Sequence, residues 1–275
     1  MSFWQSVLAF LDSSMETPSP FGWFHLMWLA ITFLALIPLL RLPKAQSPDH
    51  VRCIVLVSAI IVTVLEVYKQ INYSFSYESG ITFDYQWYAF PFQFCSTPMY
   101  IGLLAGLIKK GKVHESLCAY LATYAVFAGA AVMLCPNDVF ISTIGINIQT
   151  MICHGSMITI GIYLFATGYV KLEHKTLLRA LPVFAVTVGL AAVMNEIAHL
   201  TGLLETETFN MFYISPYCDP HLLVYKDVQA VIPFPWSLVI YILGFTAAAY
   251  VILLLAMGIG KLVGKLKASP RVNAA

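Results

Sequence analysis

Charge is what this sequence has least of. Only 11% of its 275 residues are Asp, Glu, Lys or Arg, against 59% in the apolar AVILMFWYC set, whereas a soluble domain carries about 25% charged and 45–50% apolar residues. So little charge cannot coat a water-facing surface of this size, which excludes a soluble enzyme and a disordered chain. Neither sign is in excess: 15 basic and 14 acidic residues nearly cancel, leaving no basic field to hold nucleic acid. The six cysteines show no CxxC or Cys/His spacing suited to zinc. No phosphate loop, nucleotide fingerprint, internal repeat or domain linker interrupts the chain, so no metal and no cofactor is expected. What the sequence does have is long apolar runs. They point to an all-α, polytopic membrane protein folded as one bundle.

About 20 apolar residues cross the hydrocarbon core as a helix. Seven runs qualify: Phe21–Leu40, Val51–Ile71, Phe92–Ile108, Leu117–Leu134, Asn147–Tyr169, Leu177–Leu200 and Trp236–Ile259. The first lacks a basic leader and follows a charged, Pro-interrupted stretch, so it is expected to be a span rather than a cleaved signal. Basic residues collect in alternate connections: Arg41, Lys44 and Arg52; Lys109, Lys110 and Lys112; Lys171, Lys175 and Arg179; Lys261, Lys265, Lys267 and Arg271. Only Lys69 and Lys226 of the 15 fall elsewhere. The other connections hold Asp12, Glu16, Glu78, Asp84, Asp138, Glu205, Glu207, Asp219 and Asp227. The positive-inside rule then predicts seven spans with the N-terminus outside and the C-terminus cytoplasmic. The expected layout is an outer segment over 1–20, a seven-helix domain over 21–260 with a long outer loop at 201–235, and a basic cytoplasmic tail over 261–275 that anchors at the anionic leaflet. Such a protein belongs in the plasma membrane of a bacterium or in an endomembrane such as the endoplasmic reticulum of a eukaryote.

Polar groups inside a span are costly and normally face the bundle interior. Span two carries Glu66, Lys69 and Gln70 on one helical face. Span six carries Asn195, Glu196 and His199, span five carries His154, and span three has Cys95 near its start. Spans two and six run outward while three and five run inward, so these groups share the outer half of the bundle, with His154 roughly 10 Å below the outer end of its helix. Glu66, Lys69, Asn195 and Glu196 have two readings at this point: mutual satisfaction as a buried pair and interhelical hydrogen bonds, or a place in a substrate site.

Cys95 also has two readings. An oxidising outer compartment favours a disulfide with Cys135 or Cys218. Alternatively, Thr97 and Pro98 read as an N-cap and first helical residue, which sets Cys95 just ahead of a helix N-terminus where thiolates are favoured. If the helix instead starts near Pro91, Pro98 frees the carbonyl of Phe94. In both cases backbone groups near the thiol are expected to be available to a thiolate or oxyanion, and a histidine in reach completes a Cys–His pair.

The phrases Pro91-Phe92-Gln93-Phe94-Cys95-Ser96, Glu66/Lys69, His154-Gly155, Asn195, Asn210-Met211-Phe212-Tyr213 and Pro233-Phe234-Pro235-Trp236 together resemble the YwaF-type family of integral membrane proteins, from span two to span seven. Animal relatives of that family include a transmembrane acyltransferase that remodels ether phospholipids through a cysteine acyl-enzyme. The resemblance implies Cys95 as the acyl-accepting nucleophile and His154 as its base. Phospholipid and lysophospholipid would then be the partners, with Glu66, Lys69, Gln70, Asn195, Glu196 and His199 as substrate-binding or supporting residues. A lipid-ester hydrolase using the same pair is the alternative activity. A transporter or ligand-binding protein with an outer polar cavity is the alternative class, with Glu66 and Glu196 as cation sites.

Overall fold

The structure is a computed structural model and describes residues 2–41, 47–202, 208–218 and 222–268. Lys44, Glu205, Glu207, Asp219 and Arg271 lie outside the described residues, as does the side chain of Lys267. The loop at 201–235 and the tail at 261–275 are described only in part.

The N-terminal segment forms α1 (Phe3–Leu11), started by a capping box between Ser2 and Gln5. Two long helices follow, α2 (Trp23–Arg41) and α3 (Pro48–Asn72). Ser47 caps α3, and Pro48 occupies its first position, where a missing N–H removes nothing. A short antiparallel hairpin, β1 (Phe75–Ser76) with β2 (Thr82–Phe83), leads into an irregular stretch. Then come α4 (Thr97–Leu107), α5 (Lys112–Ala122), α6 (Tyr124–Leu134), α7 (Ile144–Ala166) and α8 (Lys175–Thr201). Gly202, at φ 60°, ends α8 in the left-handed conformation that glycine favours. The chain closes with α9 (Leu223–Val231) and α10 (Trp236–Ala268).

Among the described residues, six helices are long and apolar enough to cross a membrane: α2, α3, the α5–α6 pair, α7, α8 and α10. The protein is thus a helical, multi-pass integral membrane protein. α5 and α6 make one span broken at Thr123, whose hydroxyl donates to the Ala119 carbonyl at 2.7 Å, a local bond that competes with the helical ladder. The third apolar run departs from expectation. It is helical only over Thr97–Leu107, about 16 Å of rise against the roughly 30 Å of a hydrocarbon core. The reason is local. Pro98 has no N–H and belongs in a helix's first turn, so the helix begins there instead of running through from Phe92. Thr97 is the first helical residue and Ser96 its N-cap. The Phe94 carbonyl is taken by the Thr97 hydroxyl at 3.0 Å.

Loops gather at two ends of the bundle. At one, which we call the hairpin end, Tyr68 donates to the Leu11 carbonyl and Tyr77 to Asp12, while Ser14 bridges to Thr143. At the other, the basic end, Arg52 donates to the Gly106 carbonyl, and Arg179 contacts Glu115 and Glu173. The spans are not equivalent. α5–α6 and α7 are 72% and 67% buried over their apolar windows, whereas α2 and α10 are 22% and 17%, so α7 runs through the centre.

Candidate functional site

Burying Glu66 and Lys69 in a bundle demands partners for both charges, and the structure supplies them. Lys69 Nζ lies 2.8 Å from Glu66 Oε1, with side chains only 15% and 7% exposed. Gln70 donates to the same carboxylate oxygen at 2.8 Å and to the Ala89 carbonyl. Tyr85 donates to Gln70, and Gln149 of α7 reaches Glu66 Oε2 at 3.4 Å. Burial, and then the Glu66 charge, push the Tyr85 phenol up to about 12, so it stays a hydrogen-bond donor. Gln149 and Tyr85 were not among the residues singled out from the sequence. A glutamine five residues before His154 on the same helix was a signal that could have found the first. Tyr85 sits in a loop with no periodicity to mark it.

Cys95 lies in the non-helical segment just before α4 and is half-buried. Its thiol is free, as is that of Cys135, so neither disulfide of the first reading is formed. The Cys95 carbonyl faces the Cys153 sulfur of α7 at 3.9 Å. The amides expected to serve an oxyanion are already engaged, since Ser96 N–H and Thr97 N–H both donate to the Gln93 carbonyl.

His154 is buried at 5% exposure on the central helix. Its Nδ1 lies 2.7 Å from the Thr150 carbonyl. A carbonyl only accepts, so Nδ1 carries the proton and Nε2 presents a lone pair. Nε2 is buried and has no hydrogen-bond partner among the described residues. The Gly155 that follows is there for packing: a Cβ at that position would come within 2.5 Å of Thr32 Oγ1 on α2.

The polar residues of α8 serve the neighbouring loop. Asn195 grips Met211 from both sides, donating to its carbonyl at 3.0 Å and accepting from its N–H at 2.8 Å. Tyr217 donates to Glu196 at 2.8 Å and stacks on His199 with ring centroids 3.5 Å apart. That bond to Glu196 raises the Tyr217 phenol above its ordinary range. Asn195, Glu196 and His199 therefore hold the loop over 209–217 rather than joining the Glu66–Lys69 network. The loop itself closes onto the cysteine segment. Gln93 donates to the Asn210 carbonyl and accepts from the Phe212 N–H, each at 3.0 Å. The Phe212 ring lies against Phe92 and Phe94. Phe212 and Tyr213 hold φ at 59° and 55°, a left-handed conformation that bulky residues avoid and that tends to survive where surrounding structure over-determines it.

A family model for TMEM164 proteins matches residues 20–257, which takes in all of α2 to α8 and most of α10. The chain belongs to the TMEM164 family. No curated protein and no solved structure matches it. The TMEM164 match spans the whole ion-pair network, Cys95, His154 and the strained loop at 212–213, and leaves α1 outside. It does not extend to the YwaF-type likeness read from the motifs.

Proposed function

We propose that this protein is a membrane-embedded, cysteine-dependent acyltransferase that moves a fatty acyl chain between phospholipid and lysophospholipid. The observation that carries the proposal is the state of His154: an imidazole fixed in the Nδ1–H tautomer, its Nε2 buried and unpartnered, one residue from the cysteine that meets the Cys95 backbone. Membership of the TMEM164 family supports the same reading.

His154 Nε2 takes the Cys95 thiol proton, and the thiolate sulfur attacks the ester carbonyl. The tetrahedral oxyanion collapses, the carbon–oxygen bond of the ester breaks, and the lysolipid leaves with the proton from His154. The hydroxyl of a second lysolipid, deprotonated by His154, attacks the thioester and regenerates the thiol. With the Ser96 and Thr97 amides engaged, Lys69 is the group assigned to the developing negative charge. A nearby groove supports a place for the acyl chain. An apolar groove of about 390 Å³ between α2, α3 and α7 shares Ser58, Val62, Ser156 and Ile160 with a smaller crevice that reaches Pro98 and Cys153.

The third crossing, in this reading, is the irregular segment together with α4. Irregular backbone is tolerated at membrane depth where protein buries it, and Gln93, Gln70 and the 209–213 loop do so here. The hairpin end is then outside and the C-terminus cytoplasmic, as the basic residues require.

Incubation with phospholipid followed by intact-mass spectrometry tests the chemistry. An acyl adduct on Cys95 is expected, absent from Cys95→Ala and slowed by about 10²–10⁴-fold in His154→Ala. Undiminished lipid turnover in both variants would sink the proposal. Free fatty acid in place of a new phospholipid would assign the same residues to hydrolysis.

A further inference from the structure

A polar cavity opens at the basic end, past the C-terminus of α4, about 16 Å of helix away from Cys95. Its volume is about 390 Å³, and Lys109, Lys110, Lys171 and Arg179 line it together with His114 and Thr176. Charge in the cavity is one-sided. Among the described residues Glu115 is its only acidic wall residue, and both Glu115 and Glu173 are engaged with Arg179, at 3.9 and 2.9 Å. None of the three lysines pairs with a carboxylate among the described residues.

The floor is built rather than open. His114 is 4% exposed, bonds the Tyr169 hydroxyl through Nε2 at 2.7 Å and sits 3.6 Å from the Cys118 sulfur. α5 starts at the rim behind Gly111, which has no side chain to cap the first-turn amides, and uncapped amides at a helix start favour an anion. Topology signalling alone calls for basic loops. It does not call for a concave pocket with three unpaired lysines over a buried histidine.

We propose that this cavity binds a phosphate group, carried by an anionic lipid headgroup or by a soluble phosphate ester. The proposal is independent of the acyl chemistry, since the cavity touches neither Cys95 nor His154.

The test uses the full-length protein in phosphatidylcholine nanodiscs and reads its thermal unfolding midpoint. One arm adds inorganic phosphate against matched chloride. The other incorporates phosphatidic acid against phosphatidylcholine alone. A rise in the midpoint is expected in at least one arm. A response to inorganic phosphate shows that the free anion suffices, and a response confined to phosphatidic acid assigns a headgroup. Each lysine contributes about fivefold in affinity, so the triple variant Lys109→Gln/Lys110→Gln/Lys171→Gln should weaken binding by about a hundredfold. Arginine at the same three positions should preserve binding, which separates loss of charge from loss of fold. Lys261→Gln/Lys265→Gln, which removes charge from the tail, should leave the response intact. No rise in either arm, or a rise of equal size in the triple glutamine variant, overturns the proposal.

Discussion

A histidine acts as a general base only where one ring nitrogen is kept free of a proton. At His154 a main-chain carbonyl does this, and because that carbonyl belongs to the same helix, the tautomer survives any movement of neighbouring spans. Lys69 depends on its surroundings far more. Its charge is held in the bundle by Glu66, and removing one partner of a buried pair costs about 3–5 kcal/mol. Glu66→Gln should therefore destabilise the protein by that amount in chemical unfolding, while the double variant Glu66→Gln/Lys69→Met should recover most of the loss. The same double variant should acylate about 10²-fold more slowly, since the cation assigned to the oxyanion is gone. Recovery of stability without recovery of rate separates the two roles of Lys69. The sequence placed Glu66, Lys69 and Gln70 on one face because their spacing is helical. It could not find Tyr85, whose contact with Gln70 spans a loop.

Among the elements, the third apolar run and α8 are the instructive cases. Hydropathy read Phe92–Ile108 as continuous, because aromatic and aliphatic residues score alike in a helix and in a buried irregular strand. Pro98 decides between them, and the sequence carried that residue in plain view. In α8 the polar triplet of Asn195, Glu196 and His199 was legible as a cluster, but not its target, which is a loop at 209–217. Asn195→Ala removes a donor and an acceptor from Met211 and should cost about 1–3 kcal/mol. The expected signature is faster hydrogen exchange at the amides of Met211 and Phe212, with the core of α7 unchanged. Equal acceleration in both would mean that Asn195 supports the bundle as a whole.

For the molecule as a whole, the proposed orientation makes a simple statement about access. Cys135 is exposed at the hairpin end, and Lys110 is exposed at the basic end. An impermeant thiol reagent applied from outside should label Cys135, and in a Lys110→Cys/Cys135→Ser variant position 110 should be labelled only from the cytoplasmic face. The reverse pattern would invert the bundle and move the candidate acyl site to the other leaflet. Membrane residence, helical class and the rough limits of six spans follow from the amino-acid order alone. Each is an additive consequence of local apolarity, and a run of about 20 apolar residues has few alternatives in lipid. Folding alone decided which polar groups meet. Gln149 reaching Glu66, the Met211 backbone gripped by Asn195, and Lys109 and Lys171 around one cavity all join residues apart in the chain. Contacts of that kind depend on how helices rotate and pack against one another, and no local property of the sequence encodes that.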